Sequence, residues 1–147
     1  MNVFDEKNIV LAAAPADKME AIRMAGEVLL GNGYVKSAYL DDMVAREQLV
    51  TTYIGNYVAI PHGLHTSGEN ILSSGISFVQ VPGGVEFGDV GEGKTAYLVI
   101  GIAGKDGSHM EILSQVAMVL TDLDQVERLR TAQTPREVLE VFGAVLN

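Results

Sequence analysis

The chain has 147 residues, a length that fits one domain, and 48% of them are hydrophobic, which provides for a core and excludes extended disorder. Ten Lys and Arg residues against 19 Asp and Glu residues leave a net charge of −9, which excludes a basic nucleic-acid-binding surface and attraction to an anionic membrane. The chain has no Cys, which excludes disulfides, a thiol nucleophile and thiolate metal ligands.

No segment is typical of targeting or of membrane insertion. The longest apolar stretch, residues 96–103, is far shorter than the ~20 residues that a helix needs to span a bilayer. The short apolar run at residues 9–14 lacks the basic leader of a signal peptide. We therefore expect one domain over residues 1–147 that is cytoplasmic and is not inserted directly into a membrane.

The first third of the chain carries two helical patterns. Asp17 and Glu20 form a capping-box pair, and apolar residues then recur at helical spacing until Gly31, which predicts a helix over residues 17–30. Ser37 is the predicted cap of a second helix. Its inward face carries Leu40, Met43, Val44 and Glu47.

The middle of the chain carries strand patterns. Residues 57–60 are a short β-branched and apolar run that ends at a proline, and residues 75–81 alternate between two apolar faces. Residues 82–84, Pro-Gly-Gly, are predicted to turn the chain so that residues 85–87 return as an antiparallel partner. Residues 95–102 are almost continuously apolar, which is typical of a central strand covered on both faces.

The last third of the chain is predicted to be helical. Ser108 and Glu111 form a second capping-box pair, residues 123–129 have the spacing of a short helix, and Thr134 with Pro135 begins the last one. Helices therefore precede, separate and follow the strands. The expected fold is a single-domain α/β sandwich, in which a mixed sheet of four to five strands is flanked by helices on both faces.

Two of the three histidines occupy positions suited to chemistry. His62 follows a predicted strand between Pro61, which stiffens the strand exit, and Gly63, which leaves space for a ligand beside the imidazole. His109 begins a predicted helix, where free N–H groups and the helix dipole bind anions such as phosphate and favour a neutral imidazole. Each position is also compatible with a histidine that has no function.

The third histidine raises the alternative of a metal site. His65 lies three residues after His62, and with His109 the pair has the composition of a three-histidine zinc site. The pair lies on a loop and has no acidic partner at a recognisable spacing, so we expect no metal and an exposed His65. Arg46 lies at the edge of the inward face of the second helix, although a charged pair with Glu47 is equally typical of a solvated face.

Three stretches of the chain match the pattern of a known family. They are MVARE at residues 43–47, YIGNYVAIPHG at residues 53–63, and LVIGIA at residues 98–103, which leads to His109. With them the chain resembles the enzyme IIA components of the phosphoenolpyruvate-dependent sugar phosphotransferase system, in their mannitol/fructose class. The middle stretch is the most specific, since AIPHG matches the family's phosphorylation-site pattern. VEFG at residues 85–88 is more similar to the mannitol branch.

The resemblance implies a phosphotransferase of this same fold that needs no cofactor. It implies that His62 accepts a phosphoryl group from the phosphocarrier HPr and passes it to the IIB domain of a mannitol permease. His109 is then the second active-site histidine, stabilising the phosphate, and Arg46 the cation that stabilises its charge. Two imidazoles that share one phosphate must meet within about its diameter, although 47 residues separate them in the chain.

Three alternatives stay open at this point. The chain is a IIA component for fructose or another sugar, or a regulatory IIA-like module whose phosphorylation state is sensed by a partner, or a three-histidine metalloenzyme. Transfer of phosphate to a purified mannitol IIB domain separates the first two from a mannitol carrier, and metal analysis of the purified protein tests the third.

Overall fold

A mixed sheet of five strands organises the fold. Residues 3–89 and 91–146 are described in the computed structural model of the chain; residues 1, 2, 90 and 147, which the predicted domain includes, lie outside the described residues. The strands are β1 (Ile9–Val10), β2 (Tyr53–Gly55), β3 (Val58–Ala59), β4 (Gly75–Glu86) and β5 (Thr95–Ala103), and they lie in the order β1-β4-β5-β3-β2. β1 pairs with β4, and β3 with β5, in parallel, whereas the β4–β5 and β2–β3 pairs are antiparallel.

Helices cover both faces of this sheet. They are α1 (Lys18–Gly31), α2 (Ala38–Leu49), α3 (His109–Leu120), α4 (Leu123–Arg130) and α5 (Pro135–Leu146), with two short 3-10 helices at Glu6–Asn8 and Ser67–Asn70. α1 and α2 bury their apolar sides on one face, and α3, α4 and α5 bury theirs on the other. The predicted fold, an α/β sandwich with a mixed sheet of four to five strands, is therefore confirmed. Within the described part of the chain, no helix combines the length and the apolar character needed to cross a bilayer.

The two faces of β4 lie in two separate apolar layers, as its alternation predicts. Ile76 and Phe78 are packed with the layer under α3, α4 and α5, whereas Val79 and Val81 are packed with the layer under α1 and α2. β5 occupies the middle of the sheet and contributes buried side chains to both layers. The continuous apolar character of β5 follows from this double burial.

The helix starts follow the sequence patterns more closely than the caps do. The Asp17 carboxylate accepts a hydrogen bond of 2.9 Å from the N–H of Glu20. α1 begins at Lys18, directly after this cap, as predicted. The predicted cap at Ser108 is wrong, although α3 does begin after it. Ser108 already has helical backbone angles, and its hydroxyl donates to the carbonyl of Lys105 at 2.8 Å and lies 2.7 Å from the hydroxyl of Ser74.

The predicted turn at residues 82–84 is wrong, because β4 continues through it. Val85 pairs with Ala96 and Glu86 with Thr95, on the same neighbouring strand that pairs with residues 75–80. The register shifts between these two sections, so residues 82–84 form a bulge in one long strand. Because β5 is long enough to pair with both sections, the strand continues without reversing direction.

The bulge predicts different costs for two neighbouring glycine substitutions. Gly84 has a φ of +77°, and a Cβ at this residue would lie 2.7 Å from Cγ2 of Thr95, so Gly84→Ala is expected to lower the free energy of unfolding by more than about 1 kcal/mol. Gly83→Ala is the matched control, since a Cβ there meets nothing within 4 Å, and its effect should stay within about 0.5 kcal/mol. Urea denaturation of the three proteins measures both values. Equal stability of the two variants would contradict the bulge.

Candidate active site

The end of β3 places His62 beside the central strand. After Pro61, His62 continues the line of β3 and forms a parallel bridge with Ile102 of β5. The N–H of Ile102 donates a hydrogen bond of 3.0 Å to the carbonyl of Pro61. His62 therefore lies at the carboxyl ends of the two parallel strands, since β5 ends at Ala103, one residue after Ile102.

The loop after β5 brings His109 to the same edge. Residues 104–108 lead from β5 to α3, whose first residue is His109. A Cβ at Gly104 would overlap Cα of His109, so a glycine is required for this close packing of the loop against the start of the helix. The centroids of the His62 and His109 rings lie 5.1 Å apart, and the ring planes are tilted by 55°. The predicted meeting of the two imidazoles is confirmed.

The hydrogen bond of His62 distinguishes its two ring nitrogens. Nδ1 lies 2.8 Å from the carbonyl oxygen of Ile60. Because a carbonyl only accepts hydrogen bonds, Nδ1 carries the proton in the neutral ring, and Nε2 carries the lone pair. The ring is thus held at Nδ1, and the lone pair of Nε2 is available to a reactant.

Partial burial favours the neutral form of both imidazoles. Burial lowers the pKa of His62 below its usual value of 6.5, and the nearby Arg46 lowers it further, against the raising effects of the Ile60 carbonyl and of Glu47. Burial also lowers the pKa of His109, and the neighbouring His62 adds to that effect. Since a histidine can attack only when its ring is neutral, burial favours the form of His62 that is able to act as a nucleophile.

One pocket of about 800 Å³ contains the three residues predicted for the site. His62, His109 and Arg46 all line it, together with Lys105 and the exposed His65. Nη1 of Arg46 donates a hydrogen bond of 2.6 Å to the carbonyl of Val50, which holds the guanidinium at the end of α2. The pocket therefore joins two neutral imidazoles, a guanidinium and the N-terminus of α3, a combination suited to a phosphate group.

A three-histidine zinc site requires its ligands to converge on one point. Among residues 3–89 and 91–146, no group of three or more His, Asp or Glu side chains is placed to hold a metal ion. His65 lies on the pocket wall, as an exposed loop residue.

Tyr39 has a part in the site that the sequence does not indicate. Its hydroxyl donates to the carbonyl of Ile102 at 2.7 Å and accepts from the N–H of Gly63 at 2.9 Å. A Cβ at Gly63 would lie 2.5 Å from Cε1 of the Tyr39 ring. The absence of a side chain at Gly63 therefore also makes room for the tyrosine ring, while Gly63 still lines the pocket beside His62. A tyrosine one turn before Met43 is typical of an ordinary core position, so the sequence carries no signal for this contact.

Glu47 is a second residue whose part was not predicted. Its side chain is fully buried, and Oε1 accepts hydrogen bonds of 2.7 Å from both the N–H and the hydroxyl of Thr52. Lys18 lies 3.3 Å from Oε2, and the carbonyl of Thr52 accepts from the N–H of Ile60 at 3.0 Å. Glu47 thus holds the segment whose Ile60 carbonyl orients His62. The signal for it was a carboxylate on the inward face of a predicted helix.

The chain has relatives of known family in both sequence and fold. Residues 2–144 match the family described as "Phosphoenolpyruvate-dependent sugar phosphotransferase system, EIIA 2". The mannitol-specific phosphotransferase enzyme IIA component of Geobacillus stearothermophilus is 46% identical over 145 residues, covering 99% of this chain and 98% of that protein. The protein of the same description from Bacillus subtilis is 41% identical, covering 99% of each.

A solved structure has the same fold over nearly the whole chain. It is a complex of enzyme IIAMTL and phosphorylated enzyme IIBMTL from Escherichia coli, and its IIA chain matches with a TM-score of 0.92 at 38% identity. The match covers 98% of this chain and 99% of that one.

The lowered pKa values of the two histidines predict how stability depends on pH. The unfolded chain protonates its histidines near pH 6.5, whereas folded His62 and His109 do so only at lower pH. Below pH 6.5 the unfolded state therefore binds more protons, and the free energy of unfolding falls as the pH decreases towards the folded pKa values. Urea denaturation from about pH 7.5 to about pH 5.5 measures this slope.

The control for this prediction is the double variant His62→Gln/His109→Gln. It lacks both groups and should show a shallower loss of stability over the same interval. NMR titration of the two imidazoles provides a direct measurement, and a midpoint at or above pH 6.5 for both rings would contradict the prediction.

Proposed function

The chain belongs to the phosphoenolpyruvate-dependent sugar phosphotransferase system EIIA 2 family, and from that premise we propose that it is a mannitol-specific phosphoryl carrier. It takes a phosphoryl group from phospho-HPr on His62 and passes it to the IIB domain of a mannitol permease, in the cytoplasm. The relatives named mannitol-specific, at 46% and 41% identity over nearly the full chain, support the sugar. The Escherichia coli complex with phosphorylated IIB supports the second partner.

The observation that carries this proposal is the pair of imidazoles that meet in one pocket. Nδ1 of His62 is bonded to the Ile60 carbonyl, which leaves Nε2 as the nucleophile, and the His109 ring centroid lies 5.1 Å from that of His62. The lone pair of Nε2 attacks phosphorus, and the bond to the donor imidazole breaks with its electron pair returning to the donor nitrogen. The bond that forms is of the same P–N type as the bond that breaks, so the transfer runs near balance in both directions.

The surroundings of His62 stabilise the charges that this step creates. Attack places positive charge on the His62 ring, and the Ile60 carbonyl stabilises it through the Nδ1–H bond. The arriving group adds a charge of about −1.5 to −2. Arg46, the neutral His109 and the first turn of α3 provide donors for its oxygens. Positioning and charge stabilisation are the main demands of phosphoryl transfer, and these residues meet both.

The direct test of the function is a reconstituted phosphorylation. The protein is incubated with phosphoenolpyruvate, enzyme I and HPr, and intact mass spectrometry is expected to find one added phosphoryl group. Purified IIB domains of mannitol and fructose permeases are then offered as acceptors. Transfer to the mannitol domain is expected. Preferential transfer to the fructose domain would show that the protein serves fructose and not mannitol. Phosphorylation without transfer to either domain would indicate a regulatory module.

The two histidines are expected to respond differently to substitution. His62→Ala should take up no phosphoryl group at any time, because the acceptor nitrogen is gone. His109→Ala should still take it up, but about 10²–10³-fold more slowly, since one preorganised donor is lost. Arg46→Ala should resemble His109→Ala. Rapid-quench reactions with phospho-HPr measure the rate of phosphoryl uptake by each variant.

Mapping of the phosphorylated peptide under non-acidic conditions identifies the acceptor in each variant. A suitable control is His65→Ala, which removes an exposed imidazole from the same pocket wall and is expected to leave the rate of uptake unchanged. Phosphorylation of the His62→Ala protein on His109 would reverse the assigned roles.

A further inference from the structure

We propose that Tyr39 is the positioning residue of the phosphoryl acceptor, and that its hydroxyl holds His62 in line for attack by tying the following peptide group to the central strand. This role rests on the proposed function of His62. The tyrosine contacts the peptide group that follows the histidine and the central strand β5, rather than the phosphate, so its effect is on alignment.

A continuous chain of hydrogen bonds carries the inference. The carbonyl of Pro61 accepts from the N–H of Ile102 at 3.0 Å, and the carbonyl of Ile102 accepts from the Tyr39 hydroxyl at 2.7 Å. That hydroxyl in turn accepts from the N–H of Gly63 at 2.9 Å. Both peptide groups that flank His62 are therefore tied to one residue of β5, and the second of these ties passes through Tyr39.

The position of Tyr39 leaves its hydroxyl little freedom. The residue is 1% exposed, and its ring fills the space that a Cβ of Gly63 would occupy. Burial raises the pKa of Tyr39 to about 12, so the hydroxyl keeps its proton and continues to donate to Ile102 throughout the neutral range. A buried aromatic ring with both hydrogen-bonding directions used holds the peptide groups more firmly than a mobile surface side chain does.

Removal of the hydroxyl leaves two buried backbone groups without this partner. Gly63 and Ile102 are both buried. Without the hydroxyl, the N–H of Gly63 and the carbonyl of Ile102 can bond to each other only if the chain after His62 shifts towards β5. The bond between Nδ1 of His62 and the Ile60 carbonyl remains during such a shift, but the direction of Nε2 changes. A displacement of about 1 Å at a reacting group can cost about 10²-fold in rate, so the transfer rate reports this shift sensitively.

The experiment compares Tyr39→Phe with Tyr34→Phe in the full chain. Tyr34 is also buried, at 7% exposure, and its hydroxyl accepts from Nδ2 of Asn8 at 3.1 Å, so both variants lose one buried, hydrogen-bonded hydroxyl. Uptake from phospho-HPr is measured in single turnovers over a range of HPr concentrations. Tyr39→Phe is expected to lower the saturating rate by about 10-fold or more, with the half-saturating concentration of HPr little changed, whereas Tyr34→Phe should leave both values unchanged.

Two further measurements separate positioning from a general loss of stability. Hydrogen exchange of the Gly63 amide should accelerate in Tyr39→Phe and not in Tyr34→Phe, and urea denaturation shows whether both variants are folded. Gly63→Ala is a second route to the same displacement, since it keeps the hydroxyl but forces the Tyr39 ring away. It is expected to reduce the saturating rate in the same way.

The outcomes are distinguishable. A wild-type saturating rate in folded Tyr39→Phe, or in Gly63→Ala if Tyr39→Phe does not fold, would overturn the role of Tyr39 and leave the function of His62 intact. A wild-type chain that takes no phosphoryl group from phospho-HPr would overturn the proposed function, and this role with it.

Discussion

The parallel pairing of β3 with β5 is the constraint on which the site depends. Val58 pairs with Leu98 and Ala59 with Val99, and the same line continues to the bridge between His62 and Ile102. Because parallel neighbours end at the same edge of a sheet, the chain that leaves β3 and the chain that leaves β5 emerge side by side. This alignment, together with the short loop from β5 to α3, brings together two imidazoles that are far apart in the chain. The loop after β5 needs only to begin a helix promptly, which the close packing at Gly104 permits.

Two buried residues of α2, Tyr39 and Glu47, hold the segments on either side of His62. Tyr39 holds the peptide group after His62, and Glu47 holds Thr52, whose carbonyl accepts from the N–H of Ile60, the residue whose carbonyl orients the His62 ring. The two routes reach His62 from opposite sides, so one helix controls both its backbone and its imidazole. The pairing of Glu47 with Lys18 is weak evidence for added stability, since burying charges offsets most of their attraction. A role in holding the segment at Thr52 accounts better for a buried carboxylate at this position.

The electrostatics of the pocket differ from those of the chain as a whole. A net charge of −9 disfavours the binding of an anion in general, so the proposed binding of a phosphoryl group depends on local donors. Arg46 and the N-terminus of α3 provide them at the one place where two imidazoles meet. Burial lowers the pKa of both rings, and the roles proposed for them follow from their different surroundings. His62 is held through Nδ1 with Nε2 free, whereas His109 begins a helix, where a neutral donor suits an anion.

The sequence by itself determined the features that depend on near neighbours along the chain. Helical spacing and caps predicted α1, apolar continuity predicted β5, and alternation predicted the two faces of β4, because each signal lies within one element. β1 and β2 have two and three residues, too few for any periodic pattern. The pattern at residues 82–84 fits a turn or a bulge equally, and only the length of the partner strand decided between them. The meeting of the histidines and the contact of Tyr39 with Gly63 are decided by tertiary structure alone, since their hydrogen bonds and packing join segments that are distant in the chain.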